Sequence, residues 1–266
     1  MMLWYLLTGI FAGTMSGMLG LGGGIVVVPA LAALFLYNPD ISAEIHMRMA
    51  IGTSLAIMIV TLGSSLYAHH KRGTVNWLMV KTVFPGLLVG IIIGMMLVCF
   101  LPSSFLSRIF SVFLLFIIIH MLFFDHDASE EYKLKTISSH LIMGFSALIG
   151  MLSSLLGVGG GTMWVPFFLY CKLPMRDAVG TSVACGITAA VIATIGFISA
   201  GFFTDFNIPY STSYIYWPAF LGVSMISIIF APIGVFMAYK LSAVLLKYVF
   251  ALFLFIMAIQ MMFFMH

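Results

Sequence analysis

Two short glycine runs decide how this chain folds. The first glycine run reads Gly17-Met18-Leu19-Gly20-Leu21-Gly22-Gly23-Gly24-Ile25, and the second glycine run reads Ser154-Leu155-Leu156-Gly157-Val158-Gly159-Gly160-Gly161-Thr162. A proline follows each run, at Pro29 and at Pro166. Each glycine destabilises a helix by about 1 kcal/mol relative to alanine. Each run therefore predicts a break between two helices.

The composition around these runs is that of a membrane protein. The chain has 266 residues, of which 63% are hydrophobic and only 7% are charged, and its mean hydropathy is +1.20. A soluble domain of this size has too few charges to cover so much apolar surface. The unbroken apolar stretches favour helices over strands. We therefore predict an all-α polytopic membrane protein, in which broken helices are tolerated only beside protein or a water-filled cavity.

The two halves of the chain repeat each other beyond the glycines. Gly52-Thr53-Ser54 in the first half matches Gly180-Thr181-Ser182 in the second, and a third block of matches follows later in each half. The most polar stretch lies between the halves. We predict a first transmembrane repeat over residues 1–124, a cytoplasmic linker over 125–136 and a second transmembrane repeat over 137–266.

The placement of lysine and arginine predicts how the halves are oriented. If each glycine run is the tip of a hairpin, nine of the eleven basic residues lie on one side of the membrane, with only Arg48 and Arg108 opposite. If each run lies within a single crossing, the split is five against six. Because basic residues accumulate on the cytoplasmic side, we predict two inverted-topology repeats of about five membrane segments each. Their glycine-broken hairpins would meet near mid-membrane, where transporters of this design hold substrate.

The residues at these breaks suit an anion. The first N–H groups of a helix have no intrahelical partner, the helix dipole is positive at that end, and glycine lets a ligand approach the backbone. The neighbouring Thr and Ser hydroxyls are further donors. The candidate substrate-binding residues are Gly20, Gly22, Gly23, Gly24, Thr53, Ser54, Gly157, Gly159, Gly160, Gly161, Thr162, Thr181 and Ser182. Two alternatives stay open: the glycines only permit tight helix crossings, and the hydroxyls only bond to their own helix backbone.

Charged and titratable residues refine this hypothesis. Arg48 and Arg176 occupy equivalent positions and are candidates for gating or anion attraction, although snorkelling to the interface explains them equally well. All eight carboxylates lie in loops or at segment ends, which fits an anionic substrate better than a cation. His120 and His140 are candidates for a coupling proton. Trp164 either lines the pocket or packs against it.

Several functions are not expected from this sequence. The cysteines show no C-x-x-C spacing, so we expect neither a metal site nor a disulfide framework. No H-E-x-x-H motif or nucleophile triad is recognisable, so we do not expect an enzyme. The basic pI of 8.8 is explained by cytoplasmic loops rather than by nucleic-acid binding. An anion channel, or a transporter of another small anion, stays open as an alternative.

The paired glycine runs, each followed by a proline and then by Gly-Thr-Ser, resemble the TauE/SafE family of sulfite and organosulfonate exporters over both halves of the chain. The resemblance implies a multi-pass transporter of the bacterial inner membrane for a small sulfur oxyanion or sulfonate, such as sulfite, thiosulfate or sulfoacetate. It implies no cofactor, and it leaves proton coupling and a homo-oligomer open. The halves differ in two respects. Ser154 stands where the first run has Gly17, and the chain between proline and Gly-Thr-Ser is nine residues longer in the first half.

Overall fold

A computed structural model describes residues 1–19, 23–123, 138–159, 161–201, 208–240 and 243–263. The predicted linker over 125–136 lies outside these ranges, as do Gly20, Gly22 and Gly160. Within the ranges the chain forms ten α-helices. They are α1 Met2–Leu19, α2 Gly24–Leu36, α3 His46–Lys71, α4 Trp77–Phe100, α5 Ser103–Phe123, α6 Ser139–Leu156, α7 Gly161–Tyr170, α8 Met175–Gly201, α9 Trp217–Lys240 and α10 Ala243–Phe263.

The structure confirms an all-α membrane protein. Among the described residues, α3, α4 and α8 are each long and apolar enough to cross a membrane. Large apolar side chains face outward along these helices, including Leu78 at 76% exposure and Ile195 at 62%. An apolar surface of this kind, on helices long enough to span a bilayer, is typical of contact with lipid. One small addition was not predicted from the sequence: β1 (Ser211–Thr212) and β2 (Ile215–Tyr216) pair antiparallel just before α9.

Both predicted helix breaks are present. In the first half α1 ends at Leu19 and α2 begins at Gly24, and in the second half α6 ends at Leu156 and α7 begins at Gly161. Gly23 precedes α2 with φ +73°. Gly157 caps α6 with φ +64°. Residues with side chains rarely adopt this left-handed backbone, which explains the glycines at these two positions.

Two helix pairs pack through glycine. A Cβ placed on Gly9 of α1 would lie 2.9 Å from the Val223 carbonyl oxygen of α9. A Cβ placed on Gly13 would lie 2.7 Å from the Ser227 carbonyl oxygen, one turn further along α9. The contacts advance in the same direction along both helices, so α1 and α9 run parallel. Small residues allow this close approach of backbones in membranes.

The pair α4–α6 repeats this arrangement. Gly86 of α4 lies against the Met143 carbonyl of α6, and Gly90 lies against that of Ala147. These contacts also advance together, so α4 and α6 run parallel. The four helices α1, α9, α4 and α6 flank a centre made by α3 and α8, which pack on each other and on the short helices α2 and α7.

A third contact fixes the direction of α8 relative to α4. Gly180, near the start of α8, packs against Thr74 just before α4, and Gly196 near its end packs against Met95 near the end of α4. The two helices therefore run parallel. The short helix α2 is buried along nearly its whole length, so the helix that follows the first glycine run lies inside the protein.

Candidate functional site

The two glycine runs lie against each other at the centre of the protein. A Cβ placed on Gly24, the first residue of α2, would lie 2.8 Å from the Gly157 carbonyl oxygen and 3.1 Å from the Val158 Cα. Gly24, Gly157 and Gly159 are all buried. The start of α2 thus meets the backbone between α6 and α7, an approach that a side chain at position 24 would block.

A serine of the central helix α3 fixes the second run in place. The Ser54 hydroxyl donates to the Gly157 carbonyl oxygen at 3.0 Å, and Ser54 is fully buried. The turn itself is closed by the Ser153 hydroxyl, which donates to the Val158 carbonyl at 2.6 Å. Both bonds use carbonyl oxygens of the run. The amides of Gly157 and Val158 both donate to the Ser153 carbonyl, so this part of the run is held by its backbone as well.

The first turn of α2 exposes backbone donors to this centre. Val26 N and Val27 N both donate to the Gly23 carbonyl at 3.0 Å. No side chain caps the helix at Gly23. The amides of Gly24 and Ile25 precede the first of these bonds and are among the N–H groups that a helix cannot satisfy itself. The positive end of the helix dipole lies at the same point.

The start of α7 carries two further donors that lack partners. Within the described ranges, neither the Thr162 hydroxyl nor the Trp164 indole N–H has a hydrogen-bond partner, and both atoms are buried. The Trp164 ring is fully buried and stacks on Phe168 with ring centroids 5.3 Å apart. The ring therefore packs, while its polar nitrogen is left unsatisfied. An unpaired buried N–H destabilises the protein by about 1–3 kcal/mol, which a ligand acceptor would recover.

The duplicated threonines hold turns of the opposite half. Thr53 accepts from Tyr216 N at 3.1 Å and donates to the Tyr214 carbonyl at 3.5 Å. Thr181 accepts from Asn76 N at 3.0 Å. Each threonine thus fastens the segment that leads into α9 or α4. Sequence reasoning missed these two turns, although the duplicated glycine before each threonine was a signal of close backbone contact.

The Ser182 hydroxyl bonds within its own helix, to the Val179 carbonyl at 2.7 Å. The equivalent serine, Ser54, reaches across to the other half instead. In this structure the Thr53, Ser54, Thr181 and Ser182 hydroxyls therefore all contact protein backbone. Their direct donation to an anion stays a prediction.

The two arginines occupy different environments. Arg48 is half-buried and donates from Nη2 to the Leu101 carbonyl at 3.1 Å, which places its positive charge at the C-terminal end of α4. Cations are favoured at that end of a helix. Arg176 is exposed at the start of α8. A role for either in attracting anions stays a prediction.

The titratable residues near the site are few. Asp40 and Glu44 are exposed and Asp177 is half-buried, so none of the carboxylates that the structure describes is buried. No group of three His, Cys, Asp or Glu side chains in the described ranges could hold a metal ion. His140 is exposed at the start of α6, and the side chain of His120 lies outside the described residues.

Comparison with known proteins places this chain in a family. The protein-family model described as "Sulfite exporter TauE/SafE" matches residues 5–261 of this chain. The chain belongs to the TauE/SafE family. A "Probable membrane transporter protein" of Haemophilus influenzae is 34% identical over 256 residues, which cover 96% of each chain.

Two more distant relatives carry similar names. A "Probable membrane transporter protein" of Methanocaldococcus jannaschii is 27% identical over 240 residues, covering 89% of this chain and 86% of its own. YunE of Bacillus subtilis, also a "Probable membrane transporter protein", is 29% identical over 211 residues, covering 73% and 77%. No solved structure matches the chain. The chain is therefore a membrane transporter of the TauE/SafE family.

Proposed function

We propose that this protein moves a small sulfur-containing anion, such as sulfite, thiosulfate, sulfoacetate or a related sulfonate, across the bacterial inner membrane by alternating access. The observation that carries the proposal is the meeting of the two glycine runs, where Gly24 touches Gly157. The start of α2 has amides that no side chain caps, and the start of α7, which follows the second run, carries buried donors without partners.

The chemistry of these groups favours an anion. Backbone N–H groups and the Trp164 indole N–H can only donate hydrogen bonds. A small oxyanion accepts several such bonds at once, and the dipoles of α2 and α7 add to the attraction. No described carboxylate is buried there to repel it. Among the described residues, a cation would find no buried carboxylate to replace its water.

An inverted repeat explains how both sides of the membrane reach one site. Suppose that the halves are inverted, with five segments each, and that each glycine run is the tip of a hairpin. Helices α4 and α8 then cross the membrane in the same direction. If the halves were parallel and each run lay within one crossing, α4 and α8 would cross in opposite directions. The contacts of Gly180 with Thr74 and of Gly196 with Met95 support the inverted arrangement. Hairpins from opposite sides could then alternate in opening.

Uptake by proteoliposomes tests this function. We expect purified protein to catalyse saturable uptake of radiolabelled sulfite, with competition by thiosulfate or sulfoacetate stronger than by chloride. Empty liposomes and heat-denatured protein are the controls. Absence of uptake of every sulfur anion by helical, monodisperse protein would refute the proposal. Large unitary anion currents in a planar bilayer would instead identify a channel.

A further inference from the structure

A methionine of α3 packs against both glycine runs. Met58 is fully buried. Its Sδ lies 2.9 Å from the position that a Cβ on Gly24 would take, and its Cε touches the corresponding position on Gly159. The thioether therefore lies against both runs, beside the first turn of α2.

The position that corresponds to Met58 in the second half carries no side chain. Met58 lies six residues after Gly52, and Gly186 lies six residues after Gly180, so the two positions correspond. On α8, Gly186 brings bare backbone against the second run, where its Cβ would lie 2.5 Å from the Gly159 carbonyl. One central helix thus offers backbone to the site, and the other offers a long, unbranched side chain.

The side chains around Met58 are apolar. Met58, Leu62, Val183 and Ala190 form a small buried cluster that is separate from the main core. Methionine has three rotatable bonds and packs adaptably against irregular surfaces. Because the neighbouring side chains are apolar, a change of the Met58 rotamer would break no side-chain hydrogen bond.

We propose that Met58 is a movable plug that closes the anion site in this conformation and, when it turns aside, sets the size of anion that the site admits. This inference rests on the proposed function, because it presumes an anion between the glycine runs. It assigns the plug to one half of the repeat only. A shorter side chain at position 58 leaves the amides of α2 permanently reachable.

The size of the anions that the protein takes up tests whether Met58 is a plug. Uptake of sulfite and of a bulky sulfonate, benzenesulfonate, is measured for wild type, Met58→Ala and Met261→Ala. Met261 is equally buried but lies on α10, which packs mainly against α5. We expect Met58→Ala to raise the ratio of benzenesulfonate to sulfite uptake by about tenfold or more, as expected when several methylene-sized groups are removed from a pocket wall. Met261→Ala should lower thermal stability to a similar degree and leave the ratio unchanged.

A second variant covers the case in which Met58→Ala does not fold. Met58→Cys replaces the thioether with a smaller group that a methanethiosulfonate reagent can modify. We expect its modification to slow severalfold when sulfoacetate is present, a sulfonate that unlike sulfite does not itself react with the reagent or with the disulfide it forms. Equal labelling with and without sulfoacetate, or an unchanged uptake ratio in Met58→Ala, would overturn the plug. If wild type transports no sulfur anion at all, the proposed function fails instead, so the two failures are distinguishable.

Discussion

The Ser54 hydroxyl on α3 donates a hydrogen bond to the Gly157 carbonyl oxygen, 103 residues further along the chain and 3.0 Å away. This bond joins a central helix of the first half to the glycine run of the second. It occupies one carbonyl of that run, while the Gly157 and Val158 amides both donate to the Ser153 carbonyl. The bond thus fixes the orientation of the second run.

Ser54→Ala tests whether this orientation matters. We expect a stability loss of about 0.5–1.5 kcal/mol, the usual net value of one buried hydrogen bond, and a clear fall in sulfite uptake because the run loses its anchor. Ser182→Ala is the matched control, since Ser182 occupies the equivalent position but bonds within its own helix. The role fails if both variants transport equally well at equal amounts of inserted protein.

Cysteine labelling tests the inverted arrangement. Arg72 lies between α3 and α4, Pro209 lies before β1, and both are exposed. We expect Arg72→Cys to react from the cytoplasmic side and Pro209→Cys from the opposite side, because corresponding loops of inverted halves face opposite ways. The chain with only its own three cysteines gives the background. Reaction of both from one side would favour parallel halves.

The glycines of α4 are expected to be structural. A Cβ on Gly90 would collide with the Ala147 carbonyl of α6, whereas a Cβ on Gly144 of α6 meets nothing within 4 Å. Gly90→Ala should therefore destabilise the protein by about 1–3 kcal/mol, as overpacking does. Gly144→Ala should be neutral. Thermal unfolding in detergent measures both, and similar melting temperatures would show that α4 and α6 are not in such close contact.

Arg48 is expected to stabilise the end of α4. Arg48→Gln removes a charge-assisted bond to the Leu101 carbonyl and should lower stability by about 1–2 kcal/mol. Arg176→Gln, at an exposed position, should change stability by no more than about 0.5 kcal/mol. Equal effects of the two substitutions on the melting temperature would argue against this contact.

The helix breaks could be predicted from the sequence almost to the residue. The runs predict helices that begin at about Ile25 and Thr162, and the helices begin at Gly24 and Gly161. The signal was strong because consecutive glycines are costly inside a helix and because the pattern occurs twice. The one-residue difference arises because the last glycine of each run can serve as the first helical residue.

The partners of the hydroxyls could not be predicted in the same way. Thr53 contacts Tyr214 and Tyr216, and Thr181 contacts Asn76, across more than 100 residues of chain. These bonds depend on how α3 and α8 are placed against turns that are remote in sequence. A propensity or a hydropathy pattern carries no information on that placement. The strands β1 and β2, of two residues each, are likewise too short for any periodicity to show.

Met58 was missed for a related reason. A methionine in an apolar helix is ordinarily a core residue, and only the comparison of the two halves marks position 58 as unusual. Its significance emerges from its contacts with Gly24 and Gly159. Whether a side chain reaches into a site depends on its rotamer and its packing, and the sequence alone does not give either of these.

Locating a bound anion tests the central claim most directly. Selenite resembles sulfite in shape and charge, and its selenium scatters anomalously, so crystals of the protein grown with selenite would reveal the ion without ambiguity. We predict an anomalous peak between the glycine runs, with selenite oxygens within about 3 Å of amide nitrogens in the first turn of α2 or α7. A peak beside Arg48 or Arg176 instead, with none between Gly24 and Trp164, would contradict the account.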